Sequence, residues 1–223
     1  MWGNVTTNHN MDIRFDGGAC RGYGFSLPVA TFTRGSFGIS IILLYNTIEV
    51  FSMKMLTTQL SGLLDRIATN NEDAIEETAR LLAQATVGEG RIIIAAFGEY
   101  EAVSTVATKG HNAFQRAVMF EDGLAIDAAD RVWILTPSVD DERVVNLARQ
   151  LDDAFIPFAV VAPEKEDGQE LYSEAMTFIS TGLLKGLLPG ENGERIVEPH
   201  GLSALFIYEA VKLAYDDMLV DFA

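Results

Sequence analysis

The sequence predicts an α/β protein: a three-layer αβα sandwich around a central, mostly parallel sheet, preceded by helices. Three observations predict it. Short, continuous apolar runs recur at Arg91 to Phe97, Arg131 to Thr136 and Phe158 to Ala162, and a run without polar alternation is a strand covered on both faces, as in a parallel sheet. Segments with helical spacing separate these runs, the order that right-handed crossover units require. A content of 48 % apolar and 22 % charged residues in 223 positions is that of one globular core with at most an appendage.

Residues 1 to 52 stand apart. They hold Gly17, Gly18, Gly22, Gly24, Gly35 and Gly38 among scattered aromatics and sustain no period. The expectation is a poorly structured extension, such as a start codon placed too far upstream would add, with a tethering or regulatory arm as the alternative. The functional domain is then 53 to 223.

From Met53 the pattern becomes regular. Leu56, Leu60, Leu63, Leu64 and Ile67 mark one helix, and Glu72 to about Ala85, with Ile75, Ala79, Leu82 and Ala83 on one face, a second. Gly88-Glu89-Gly90 ends it, and the Arg91 to Phe97 strand follows. Glu101 to Lys109 is read as a helix, Ala117 to Phe120 as a short strand and Arg131 to Thr136 as a buried strand. A helix over Asp141 to Leu151, strands at Phe158 to Ala162 and Met176 to Ser180, and a terminal helix from Gly201 to about Leu219 complete the chain.

The formal charge of −16 lies wholly after Ser52, because Arg14, Arg21 and Arg34 cancel Asp12, Asp16 and Glu49. Such a domain repels phosphate backbones and anionic lipid at long range, which argues against nucleic acid or a membrane surface as partner. A small anion held by local amides stays open. With Cys20 as the single cysteine there is no intrachain disulfide or cysteine zinc cluster, which fits a reducing compartment. The apolar stretch Ile39 to Leu44 is too short to span a bilayer, so the cytoplasm is the expected location.

Ligands of open α/β sheets bind at the carboxyl ends of the strands. Three such places carry candidate groups. Gly98 and Glu99 follow the first strand, in a turn that only Gly98 marks. Thr136, Ser138, Asp140 and Asp141 gather hydroxyls and amides between a buried strand and a helix; the simpler role there is a helix cap contributing about 1 kcal/mol, and both roles are compatible. Glu198 and His200 precede the terminal helix and could perform acid–base chemistry, the plainer alternative being a solvated helix start. His9 and His111 are isolated, and no metal-ligand spacing, Walker loop, dinucleotide glycine turn or nucleophile elbow is present. No metal or cofactor is expected.

The run Asp130-Arg-Val-Trp-Ile-Leu-Thr-Pro-Ser-Val-Asp-Asp141 resembles the central signature of sugar isomerase (SIS) domains: an aspartate, an apolar strand, then Ser-x-Ser-Gly-x-Thr. Thr136 and Ser138 fall on the two serines, Val139 replaces the glycine and Asp141 the threonine. The first strand's turn is similar to the family's Gly-x-Gly-x-Ser, with Gly98 on the first glycine, Tyr100 on the second and Ala102 on the serine. A β-branched residue at 139 and an aspartate at 141 predict weakened phosphate affinity unless the loop is rearranged. The element order over residues 55 to 215 resembles phosphoheptose isomerase. The segment from Met55 through Leu82, with Met-Leu-Thr-Thr-Gln-Leu-Ser-Gly at its start and Ala-Arg-Leu-Leu-Ala-Gln-Ala across its end, is similar to an uncharacterised SIS-like family of Gram-positive bacilli.

The resemblance implies three readings. The first is a domain that binds a sugar phosphate or related phosphorylated metabolite. The second is an aldose–ketose isomerase working through an enediol, with Glu198 and His200 moving the protons. The third is a non-catalytic interaction protein with a vestigial cleft. It also implies a homodimer or homotetramer joined through helices, those from Met55 to Ala85 being the expected contacts.

Overall fold

The computed structural model describes residues 37–164, 169–190 and 192–220, with side chains described from Met53 onward except at 169, 170 and 172. Most of the extension expected over 1 to 52 therefore lies outside the described residues.

Two helices open the fold, α1 (Phe37–Asn70) and α2 (Glu72–Val87). The boundary expected at 53 falls within α1, which begins at Phe37. Strand β1 (Ile92–Ala96) leads through a 3-10 turn (Gly98–Tyr100) into α3 (Glu101–Lys109), and β2 (Ala117–Met119) and β3 (Arg131–Leu135) follow. Then come α4 (Glu142–Asp153), β4 (Phe158–Ala162), a short α5 (Gln169–Glu174) and β5 (Thr177–Ser180). A small hairpin, β6 (Leu188–Pro189) and β7 (Arg195–Ile196), precedes the terminal α6 (His200–Val220). The elements α5, β6 and β7 carry too few residues to show a period, and the sequence does not announce them.

The sheet is five-stranded, parallel throughout, in the order β2-β1-β3-β4-β5. The unbroken apolar runs are explained by its two cores. Ile92, Ile94, Trp133, Leu135, Ala159, Val161 and Ile179 point to one face, where α1, α2, α3 and α6 pack. Ile93, Ala95, Val132, Ile134, Phe158, Val160 and Ala162 point to the other, covered by α4 and Leu171 of α5. Period-2 alternation is hidden because both faces are dry.

Asp130 pins the amino edge of this sheet. Its carboxylate is buried and accepts from the backbone N–H of Arg91 (2.8 Å) and of Asp127 (3.1 Å) and from the Arg91 guanidinium (Nη2, 2.6 Å). The bonds join the entrances of β1 and β3, whose register pairs Ile92 with Arg131. The leading aspartate of the signature is thus a structural residue, a strand length of about 17 Å from the loop that the signature ends on.

Among the described residues, no helix is long and apolar enough to cross a membrane.

Candidate functional site

The strand order reverses between β1 and β3, and the turns after these two strands meet at the carboxyl edge. Backbone ladders carry the contact into the turns: Phe97 N–H donates to Leu135 O (2.9 Å) and Thr136 N–H to Val161 O (2.9 Å). Gly98 has φ +57°, and a Cβ there would stand 3.1 Å from Pro137 Cγ. Glycine serves both needs, the left-handed backbone and the close approach of the neighbouring turn. The turn carrying Gly98 and Glu99 and the turn carrying Thr136, Ser138, Asp140 and Asp141 are accordingly neighbours at the topological switch point of the sheet.

Their hydroxyls are not equivalent. Thr136 is buried, and its Oγ1 donates to Ser138 O (2.8 Å) and accepts from Ser138 N–H (3.1 Å), so it braces the turn from inside. Ser138 is partly exposed and its Oγ accepts only a long 3.4 Å bond from Asp140 N–H, which leaves its proton to donate. Asp141 caps α4 by accepting from Arg143 N–H (3.0 Å).

Of the departures from the family pattern, Val139 and Tyr100 turn into the two cores and Asp141 is paired. Val139 is buried in the α4-side core and has no positive φ. Tyr100 has φ −85° and ψ −7°, a conformation any residue adopts, and its ring is buried in the α6-side core. Asp141 is met by a forked pair from Arg143, Nε at 3.2 Å and Nη2 at 2.7 Å. The hydrogen bond from Arg143, aided by its charge, outweighs desolvation and holds the Asp141 carboxyl below the usual range. The negative charge expected at this position is therefore offset by a cation two residues on. Arg143 is exposed, its guanidinium lies over the Phe97 ring at 5.3 Å, and sequence reasoning missed it. The one available signal was its place two residues after a capping aspartate.

Glu198 and His200 reach the same edge from the α6 side. The Glu198 carboxylate is half exposed, with Oε2 3.7 Å from His200 Nε2, while the imidazole is nearly buried. The rings of His200 and Tyr100 are 6.1 Å apart, and a Cβ on Gly201 would stand 3.4 Å from Glu99 O. The turn after β1 thus touches both the β3 turn, through Gly98, and the start of α6, through Glu99 and Tyr100. Val197, just before Glu198, has φ +64°, a strained conformation for a β-branched residue. Among the described residues no group of three or more His, Cys, Asp or Glu is arranged to hold a metal ion.

Tyr100 gives a testable pH dependence. Burial, opposed by the adjacent Thr181 hydroxyl and helped by the Glu99 charge, pushes its phenol up to about 12; burial does the same for Tyr208 and, in direction, for Tyr215. The native state binds these protons more tightly than the unfolded chain, whose tyrosines titrate near 10. The stabilisation is therefore complete below about pH 10 and is lost as pH rises toward the folded value. For Tyr100 the rise to about 12 corresponds to about 3 kcal/mol. Urea midpoints measured at rising alkaline pH are expected to fall from about pH 10, less steeply in Tyr100→Phe; parallel declines would deny Tyr100 its share.

The comparisons with known proteins agree with this architecture. The model of a family described as a domain of unknown function, DUF2529, matches residues 52–219. The chain is 29% identical over 172 residues to the uncharacterized protein YwjG of Bacillus subtilis (strain 168), covering 77% of this chain and 99% of that protein. A crystal structure from Bacteroides fragilis, provisionally described as a phosphosugar isomerase involved in capsule formation, superimposes with a TM-score of 0.61 at 15% identity, covering 77% of this chain and 91% of the other. The Vibrio vulnificus NanR protein, complexed with ManNAc-6P, is similar with a TM-score of 0.54 at 14% identity, over 75% of this chain and 64% of its own. The fold is that of SIS domains.

Proposed function

The chain belongs to the DUF2529 family, and from that premise we propose that its 53–223 region is an SIS-type domain binding a small phosphorylated sugar at the turns after β1 and β3. The observation that carries this reading is the meeting of Gly98 with Pro137 at the switch point, with the Ser138 hydroxyl and the Arg143 guanidinium on the same edge. In this reading Ser138 and the amides of its turn receive phosphate oxygens, and Arg143 supplies the positive charge that an acidic protein must place locally. The fold's occurrence in a protein complexed with ManNAc-6P supports the ligand class. The setting we infer is cytoplasmic, with a dimer or tetramer formed through helices.

A second reading, isomerisation of the bound sugar, is favoured by one observation: His200 and Glu198 flank the same β1 turn within a single chain. In an enediol mechanism one group removes the proton from the carbon beside the carbonyl and returns it to the neighbouring carbon, while another serves the oxygens. His200 would be the buried group and Glu198 its solvent-connected partner.

The test is a thermal-shift screen of the full chain against sugar phosphates. A ligand at 100 times its Kd stabilises the native state by about 2.7 kcal/mol, so a rise in Tm is expected, abolished in Ser138→Ala and reduced in Arg143→Ala. With a hit in hand, Glu198→Gln and His200→Ala are expected to keep binding and to abolish any aldose–ketose turnover. No shift with any sugar phosphate would overturn the binding reading in favour of an interaction protein with a vestigial cleft.

A further inference from the structure

His200 has two ring nitrogens with different surroundings. Nε2 faces the Glu198 carboxylate at 3.7 Å, and a carboxylate only accepts. This favours the proton of the neutral imidazole on Nε2, which makes Nδ1 an acceptor. Nδ1 is buried and meets no donor in the chain, an arrangement costly enough to need an explanation.

Tyr100 presents the matching anomaly. Its ring stands 6.1 Å from that of His200, its residue is fully buried, and its hydroxyl is likewise unpartnered. Beside it lies Thr181, also buried, whose Oγ1 accepts a long 3.4 Å bond from Leu183 N–H and stands near enough to the phenol to oppose the rise of its pKa. Buried polar atoms left over in one place are the setting in which proteins hold an internal water, which needs two to four polar partners. Two unpartnered atoms on neighbouring rings are available here, the Tyr100 hydroxyl and His200 Nδ1, with the Thr181 hydroxyl beside the first.

We infer that Tyr100 is a positioning residue for His200, its hydroxyl donating through one buried water to Nδ1 and thereby holding the imidazole in the Nε2–H tautomer. The phenol can do this throughout the physiological range because it stays protonated. Tyr100 occupies the place of a glycine in the family's turn, so the device belongs to this chain and replaces nothing that the turn requires. The inference deepens the reading of His200 as a proton-moving group, and its test uses no ligand, so its failure is distinguishable from a failure to bind sugar phosphates.

The test is nitrogen-15 NMR of the imidazoles in the full chain at mildly alkaline pH, with His200 assigned among the three histidines by comparison with His200→Ala. The wild-type spectrum is expected to show His200 as a single tautomer, Nε2 of pyrrole type and Nδ1 of pyridine type, shielded by an accepted hydrogen bond. In Tyr100→Phe the Nδ1 resonance is expected to move toward that of a free pyridine-type nitrogen, or the tautomers to mix, with the native fold retained. A wild-type His200 protonated on Nδ1 would overturn the inference without any variant. So would a folded Tyr100→Phe with unchanged His200 nitrogens.

Discussion

Asp130→Ala is expected to lose about 3 kcal/mol of folding stability without altering the turns at the carboxyl edge. The substitution deprives two backbone N–H groups, those of Arg91 and Asp127, of their acceptor and leaves the Arg91 guanidinium without its carboxylate. Arg91 is more than a third exposed while Asp130 is almost fully buried, so water recovers part of the arginine's loss and little of the backbone's. That places the cost at the lower end for broken buried pairs. Asp130→Asn keeps an acceptor oxygen for one backbone donor and should cost roughly half as much. Burial alone would raise the Asp130 carboxyl, but the bonds from Arg91 and from the two backbone N–H groups outweigh it and hold it below its ordinary value. With a depressed folded value the contribution is present above about pH 4, the unfolded carboxyl range, and is lost as pH falls through the folded value. Urea unfolding from neutral to acid pH checks both points: the gap between wild type and Asp130→Ala should narrow in acid, and a constant gap would mean that the carboxylate's charge plays no part.

Trp133→Ala should cost about 3–5 kcal/mol. Trp133 lies in the central strand with no exposed surface, and its ring meets Phe114 edge-on at 6.0 Å. Phe114 in turn meets Tyr208 at 5.6 Å and Tyr215 at 4.9 Å, both on α6. Removing the indole opens a cavity where the sheet, the loop after α3 and the helix that starts at His200 come together, and a close-packed interior relaxes only partly to fill it. The indole N–H is buried without a partner, so Trp133→Phe gives up less, about 1 kcal/mol or under, because the volume lost is set against an orphaned donor removed. Denaturant midpoints of the two variants by far-UV circular dichroism decide the matter; equal losses would mean that the indole's hydrogen-bonding group, and not its volume, is what the site holds.

How far the sequence could be read differs between the fold and the site. The strands β1, β3 and β4 and the helices α2, α3, α4 and α6 were legible because hydrophobic spacing is a property of near neighbours in the chain. The strand run Arg131 to Thr136 read as buried on both faces, and the strand Arg131–Leu135 is, since Val132 and Ile134 enter one core and Trp133 and Leu135 the other. The site was legible only as separate pieces. Val139 and Asp141 read as obstacles to phosphate, because a side chain's identity says nothing of the direction it takes or of the partner it meets. Arg143 went unremarked, although it meets both Asp141 and the Phe97 ring.

By themselves, the residues in order determined an acidic α/β domain with a parallel sheet and a turn bearing Thr136 and Ser138 at one of its carboxyl ends. Only the tertiary structure decided that β1 and β3 are neighbours at the switch point, that Gly98 abuts Pro137, that the Thr136 hydroxyl is spent within its own turn, and that His200 stands beside Tyr100. Local propensity and periodicity act over a few residues. Strand order, side-chain direction and the satisfaction of buried polar atoms follow from contacts between residues far apart in the chain, and those exist only once both cores have closed.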